Sequence, residues 1–172
     1  MELQITRGST PLLFFNNTNK KWTKILSYQN HDLQKLFEDR ILKKHKIILD
    51  PDIIFFEFKK LLFIMSESQS KLSHNKNFKL FEPISLLDEY WHTFILMTRE
   101  YSWFCENVLG TFLHHAPEVT NSTSSSQNLN NNLETELLEQ IELVVSYLGE
   151  ETAYNWYISE KYNFKKLSEF KD

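Results

Sequence analysis

Turn-forming residues are scarce in this sequence: three glycines and four prolines among 172 residues. A sandwich or barrel of many short strands needs a tight turn roughly every eight to twelve residues, so that class is excluded and a helical domain fits better. One cysteine excludes an intramolecular disulfide and points to a reducing compartment, so a cytoplasmic location is expected. A surplus of positive charge is missing too. With 19 Lys and Arg against 23 Asp and Glu, the chain carries −4 with both signs interspersed, and no basic face is available for a phosphate backbone. Nucleic acid is therefore not expected as a partner. Long apolar runs are also lacking. "IIFFEFKKLLFIM" is interrupted by Glu57, Lys59 and Lys60 and falls short of the roughly eighteen residues a membrane span requires. Residues 1–15 lack the ordered basic, apolar and small-residue regions of a secretory signal.

Aromatic residues are abundant, at 15% of the chain with 14 phenylalanines, and 172 residues are enough for one sizeable core. The fold expected is all-α, a single domain over 1–172 built as a bundle of about five or six helices. Residues 1–30 are weakly patterned, and "NNTNKKW" reads as a polar loop. From His31 to Ile48, Leu33, Leu36, Phe37, Ile41 and Leu42 recur at helical spacing. Asp50-Pro51 opens the next helix, with Asp50 as cap and Pro51 at the first helical position, where its missing N–H costs nothing. That helix, "PDIIFFEFKKLLFIMSES", is apolar nearly all round and is expected at the centre of the bundle.

Ser85-Leu86-Leu87-Asp88 reads as a capping-box start for a helix over 86–97. A break near Thr98 would start a further segment that Gly110 ends in the left-handed conformation. "TNSTSSSQNLNNN" has too little apolar content to bury itself, so residues 119–132 are expected as a mobile Ser/Asn-rich loop. Beyond it, "LETELLEQIELVVSYLG" is an amphipathic helix closed by Gly149, and "EETAYNWYISEKYNFKKL" reads as one last helix.

The chemistry concentrates in "DEYWHTFILMTREYSWFCENVLGTFLHHAP", which holds three of the six histidines and the only cysteine. Asp88 and His92 are four apart and project from one helical face, so a carboxylate and an imidazole converge. Two ligands are too few. His114 or His115, returned by the turn after Gly110, would complete a two-His-one-carboxylate set that suits Zn or non-haem Fe(II) with open positions. The bland alternative is that Asp88 caps its helix, His92 is hydrogen-bonded in the core and the His pair lies in a surface turn. Cys105 offers a rival catalytic pair with His92 or His114, in which an activated thiolate would act as nucleophile. A lone Cys beside "WF" is more often a small core residue. Trp91, Phe94, Ile95, Tyr101, Trp103 and Phe104 are expected in the core, and Tyr90 and Tyr101 could donate to a bound anion.

The same segment resembles the signature of the glycine-rich domain-containing-protein-like family, found in plant glycine-rich domain proteins and in stand-alone bacterial proteins. The matching positions are Asp88, Trp91-His92, Leu96, Thr98, Tyr101, Phe104-Cys105, Gly110, His114 or His115, and Pro117. The resemblance implies that these residues act as a unit and names no reaction. Phe94 stands where many members have His, and no glycine-rich stretch is present, so roles tied to either do not carry over. Two functions follow. One is an Asp/His metal or acid-base site acting on a small molecule. The other is a non-enzymatic helical module that binds a protein partner and keeps the Asp/His/Trp cluster as structure.

Overall fold

The computed structural model describes residues 19–71, 78–115 and 126–169. Among them every regular element is helical, so the all-α class holds, but there are eight α-helices where five or six were expected. None is long and apolar enough to cross a membrane.

One extra helix comes from a segment with a weak sequence signal, and another from the splitting of the last expected helix in two. α1 (Lys20–Ser27) occupies part of the expected polar loop. Asn19 caps it, its side-chain oxygen accepting from Lys21 N and Trp22 N at 3.1 Å each, and Trp22 packs its ring 5.1 Å from that of Phe63. The far end is held by Lys59, whose ammonium donates to the Leu26 carbonyl at 2.9 Å. α2 (His31–Phe37) is capped by Asn30 and runs on as a wider π-helical turn over Glu38–Lys43. It stops short of the expected Ile48, because Lys46 adopts φ +54° and turns the chain.

α3 (Pro51–Lys71) starts as expected, with Asp50 Oδ1 accepting from Asp52 N at 2.9 Å. It buries Phe58 and Leu61 through Met65 without a break, so it is a central helix with no wet face along that stretch. Its one acidic group there is fully engaged. Glu57 accepts from Lys60 Nζ and from the Trp156 indole N–H, both at 2.7 Å, tying α3 to the C-terminal part of the chain.

A 3₁₀ turn over Glu82–Ile84 leads directly into α4 (Ser85–Leu96), which buries Leu86, Leu87, Tyr90, Trp91 and Phe94. Tyr90 stacks between Phe37 and Phe58, with ring centroids 3.9 and 4.5 Å away. The chain bends at Met97, and α5 (Thr98–Phe104) continues as a π-helical turn over Cys105–Leu109. Gly110 then closes it at φ +72°, as expected. Trp103, expected in the core, is instead 55% exposed on the outer face of α5.

Of the loop expected over 119–132, residues 119–125 lie outside the described residues, while the backbone of 126–132 already belongs to α6 (Ser126–Leu148). Gly149, at φ +87°, separates α6 from α7 (Glu150–Ala153), which widens into a π-helical turn over Tyr154–Ile158. The single last helix expected is broken there: Glu160 adopts φ +50°, and α8 (Phe164–Glu169) starts afresh.

Candidate metal centre

The capping box read from Ser85 and Asp88 does not form. Because the 3₁₀ turn precedes it, Ser85 is already helical and the cap position falls on Ile84, with no side-chain bond to the helix end. The Ser85 hydroxyl instead accepts from Phe164 N at 2.9 Å, serving the start of α8. Asp88 is thus not engaged as a cap, and its carboxylate faces outward along α4. One turn on, His92 lies on the same side, with Nε2 3.9 Å from Asp88 Oδ1.

The third member arrives from the far side of α5. With Gly110 left-handed, the N–H groups of Gly110 and Thr111 both reach the Cys105 carbonyl, and the chain reverses. Residues 112–115 then run without regular structure back alongside α4. Side chains alternate: Leu113 is buried, while Phe112 and His114 are exposed. The next inward residue is His115, half-buried, with Nε2 3.2 Å from Asp88 Oδ1. Its ring lies 4.5 Å from that of His92 and 4.5 Å from that of Trp91. Of the two candidates from the His pair, His115 joins Asp88 and His92, while His114 sits outside and packs on Phe112 at 4.8 Å.

Ligand atoms of Asp88, His92 and His115 all lie within 4.8 Å of one another. Two donors held about 2.1 Å from one ion can be at most about 4.2 Å apart. Both Asp88 to imidazole distances fall inside that bound, so the three side chains could hold a first-row divalent cation once the set draws in from its 4.8 Å span. The three side chains are 26%, 43% and 24% exposed for Asp88, His92 and His115. Ions and small molecules therefore have access, and a three-ligand set leaves coordination positions open.

Cys105 is fully buried. Burial pushes its thiol up, against smaller lowering influences from the Leu113 backbone and the Tyr101 side chain, which is the environment of an inert core thiol. Its polar neighbours are these two groups, while His92 meets Asp88 and His114 faces outward. Tyr101 does not present a free hydroxyl to an anion: it accepts from the Trp91 indole N–H at 3.0 Å and donates to the Leu113 carbonyl at 2.6 Å. The Tyr90 hydroxyl is buried in the aromatic stack without a hydrogen-bond partner. The role of Tyr101 at the back of the site was not visible in the sequence, where an aromatic at helical spacing reads as core.

A family model described as UCP032817-like matches residues 25–137, about two-thirds of the chain and all three clustered residues. The chain belongs to the UCP032817-like family, a description that names no activity or ligand. No curated protein and no solved structure gives a significant match.

Proposed function

We propose that this UCP032817-like protein binds a divalent transition metal, zinc or ferrous iron, through Asp88, His92 and His115, and acts on a small molecule at the positions left open. The observation that carries this reading is the convergence of three ligand-type side chains from two separate segments, within 4.8 Å and reachable from solvent. An aspartate in the first turn of a helix ordinarily serves that helix; here the carboxylate is turned to two imidazoles instead. A metal at this place would polarise a bound carbonyl or lower the pKa of a bound water. Asp88 and the two histidines hold the ion, Trp91 walls the inner side against His115, and the outer side is open.

The likeness of residues 88–117 to the glycine-rich domain-containing-protein-like signature supports the same reading. Its Asp, Trp-His, Tyr and Gly positions are Asp88, Trp91-His92, Tyr101 and Gly110, and its His position falls on His114 or His115, of which His115 lies in this cluster; these residues build or brace it. Against a purely structural role stands the exposure of His92, since an imidazole 43% in water is not a core hydrogen-bonding group. The test is elemental analysis of the protein purified without a histidine tag, beside an Asp88→Ala and a His115→Ala variant. Near-stoichiometric zinc or iron in the parent and its loss from both variants is expected; equal metal in all three rejects the assignment.

A further inference from the structure

We propose that Tyr101, whose hydrogen bonds go to none of the three ligand residues, is the positioning residue of this centre: through its hydroxyl it sets where His115 points. For the metal, this rests on the reading above; for His115, it stands on geometry alone. Asp88 and His92 are fixed relative to each other by one helix. His115 is on a segment without regular structure, so something outside α4 must hold it. Among the described residues no hydrogen bond holds the far nitrogen of its ring. What holds the segment is the carbonyl of Leu113, two residues earlier, which takes the Tyr101 hydroxyl at 2.6 Å. The same hydroxyl receives the indole N–H of Trp91, and the Trp91 ring lies against His115 at 4.5 Å.

The contacts form a closed loop, from α4 through Trp91 to Tyr101, on to Leu113, along the chain to His115 and back to Trp91. One oxygen atom, buried and with its donor and acceptor capacity both in use, joins three chain segments. Leu113 and His115 lie two apart in a segment whose side chains alternate, so a shift of the Leu113 carbonyl carries His115 with it. Removing a group that orients a metal ligand from behind typically costs roughly 10–100-fold in metal affinity.

The informative variant is Tyr101→Phe. It deletes only the hydroxyl and keeps the ring, which packs on Phe94 and Phe112 at 5.2 and 5.5 Å. Tyr157→Phe is the matched control, removing a buried hydroxyl that accepts from Gln140 and leaving this site alone. Two measurements are made on untagged protein. One is the set of imidazole ring resonances in the metal-free state, with His115 assigned through His115→Gln. The other is Co(II) titration followed by its visible spectrum. Tyr101→Phe should move the His115 resonances out of the Trp91 ring-current field and weaken Co(II) binding by roughly 10–100-fold, with altered bands, while Tyr157→Phe changes neither. Unmoved His115 resonances overturn the proposal, as does unchanged Co(II) affinity where the parent binds Co(II). A parent that binds no Co(II) rejects the metal assignment, and the resonances still decide whether Tyr101 positions His115. Should Tyr101→Phe fail to fold, Trp91→Phe removes the other hydrogen bond to the same oxygen; because it also removes the ring beside His115, it is read by Co(II) affinity alone, and an unchanged affinity overturns the proposal.

Discussion

Replacing His92 by Ala separates a metal ligand from a structural histidine, and the geometry sets the expected sizes. A buried imidazole removed from a core would leave a cavity and unpaired partners, at a cost of about 2–4 kcal/mol. His92 is 43% exposed, however, and Asp88 keeps its closer partner, His115 at 3.2 Å, when His92 is gone. No closed cavity forms and no buried group loses its only bond. In chelator-treated protein the variant should therefore cost about 0.5 kcal/mol or less, a change of about 1–2 °C in melting temperature for a chain of this length. With free metal at about 100 times its Kd, the parent gains about 2.7 kcal/mol, or about 5–11 °C on the same scale. The variant, left with two ligands, should show almost none of that rise. Its affinity loss should exceed the roughly 10–100-fold typical of an outer partner. Thermal unfolding followed by circular dichroism, with chelator and then with Zn(II), reads both quantities. If metal-free His92→Ala is several kcal/mol less stable while the parent never responds to metal, the residue is structural and the reasoning is refuted. If both proteins rise equally, the metal binds elsewhere.

Three further outcomes are expected. Ser85→Ala removes the acceptor of the Phe164 N–H and should cost about 0.5–2 kcal/mol, with faster amide exchange at Phe164; unchanged exchange there would show that the hydroxyl does not cap α8. Glu57→Ala strands the Trp156 indole N–H and leaves the Lys60 ammonium without its counter-charge, with only the Thr152 hydroxyl to receive it, around a side chain only 7% exposed, so urea denaturation should reveal a loss of about 3–5 kcal/mol, and a loss under about 1 kcal/mol would contradict the pairing seen. Finally, burial raises the phenols of Tyr90, Tyr101, Tyr157 and Tyr162 above their ordinary 10.0. In that range the unfolded chain loses protons that the folded one keeps, so stability is full below about pH 10 and falls as pH rises beyond it. Lys59, pushed down by burial, acts in the opposite sense but alone. Melting temperature against pH checks the balance, and ionisation of these four phenols without unfolding would refute it.

Much of the fold was legible because its signals are local. Asp50-Pro51 opens α3 and Gly110 and Gly149 end their helices through backbone preferences that belong to those residues wherever they occur. The convergence of Asp88 and His92 follows from helical pitch alone. What was missed depends on distant partners. α1 has only two buried residues, Trp22 and Ile25, too few to show a period, and it is held by packing on α3. The breaks at Lys46 and Glu160 use left-handed residues that are neither Gly nor Asn, so no punctuation marks them. Ser85 had the right spacing for a cap but was committed to a helix start some eighty residues away. The choice between His114 and His115 rested on alternation after Gly110. Leu113 as the inward residue selects His115, yet Phe112 is equally apolar, and the sequence does not say which of the two faces in.

That ambiguity shows where the site is specified. An acid and a histidine four apart on a helix are a common surface pair, worth a few tenths of a kcal/mol. What makes this pair part of a cluster is the return of the chain after α5, and the return depends on one backbone angle. A Cβ at Gly110 would meet nothing within 4 Å, so space is not what selects glycine there; φ +72° is. An ordinary L-residue would hold that angle at a cost of about 1–2 kcal/mol, and easing the strain by rotating the turn would swing residues 111–115 away from α4. The aromatic clasp behind the site opposes that swing, since the Tyr101 hydroxyl on α5 holds the Leu113 carbonyl and is itself held by the Trp91 indole N–H on α4. The clustered side chains themselves contribute little to holding the segment, because His115 touches Asp88 only at the half-exposed rim. The framework that brings the three side chains together is therefore built from glycine and aromatic residues, and the cluster itself is left reachable at the surface.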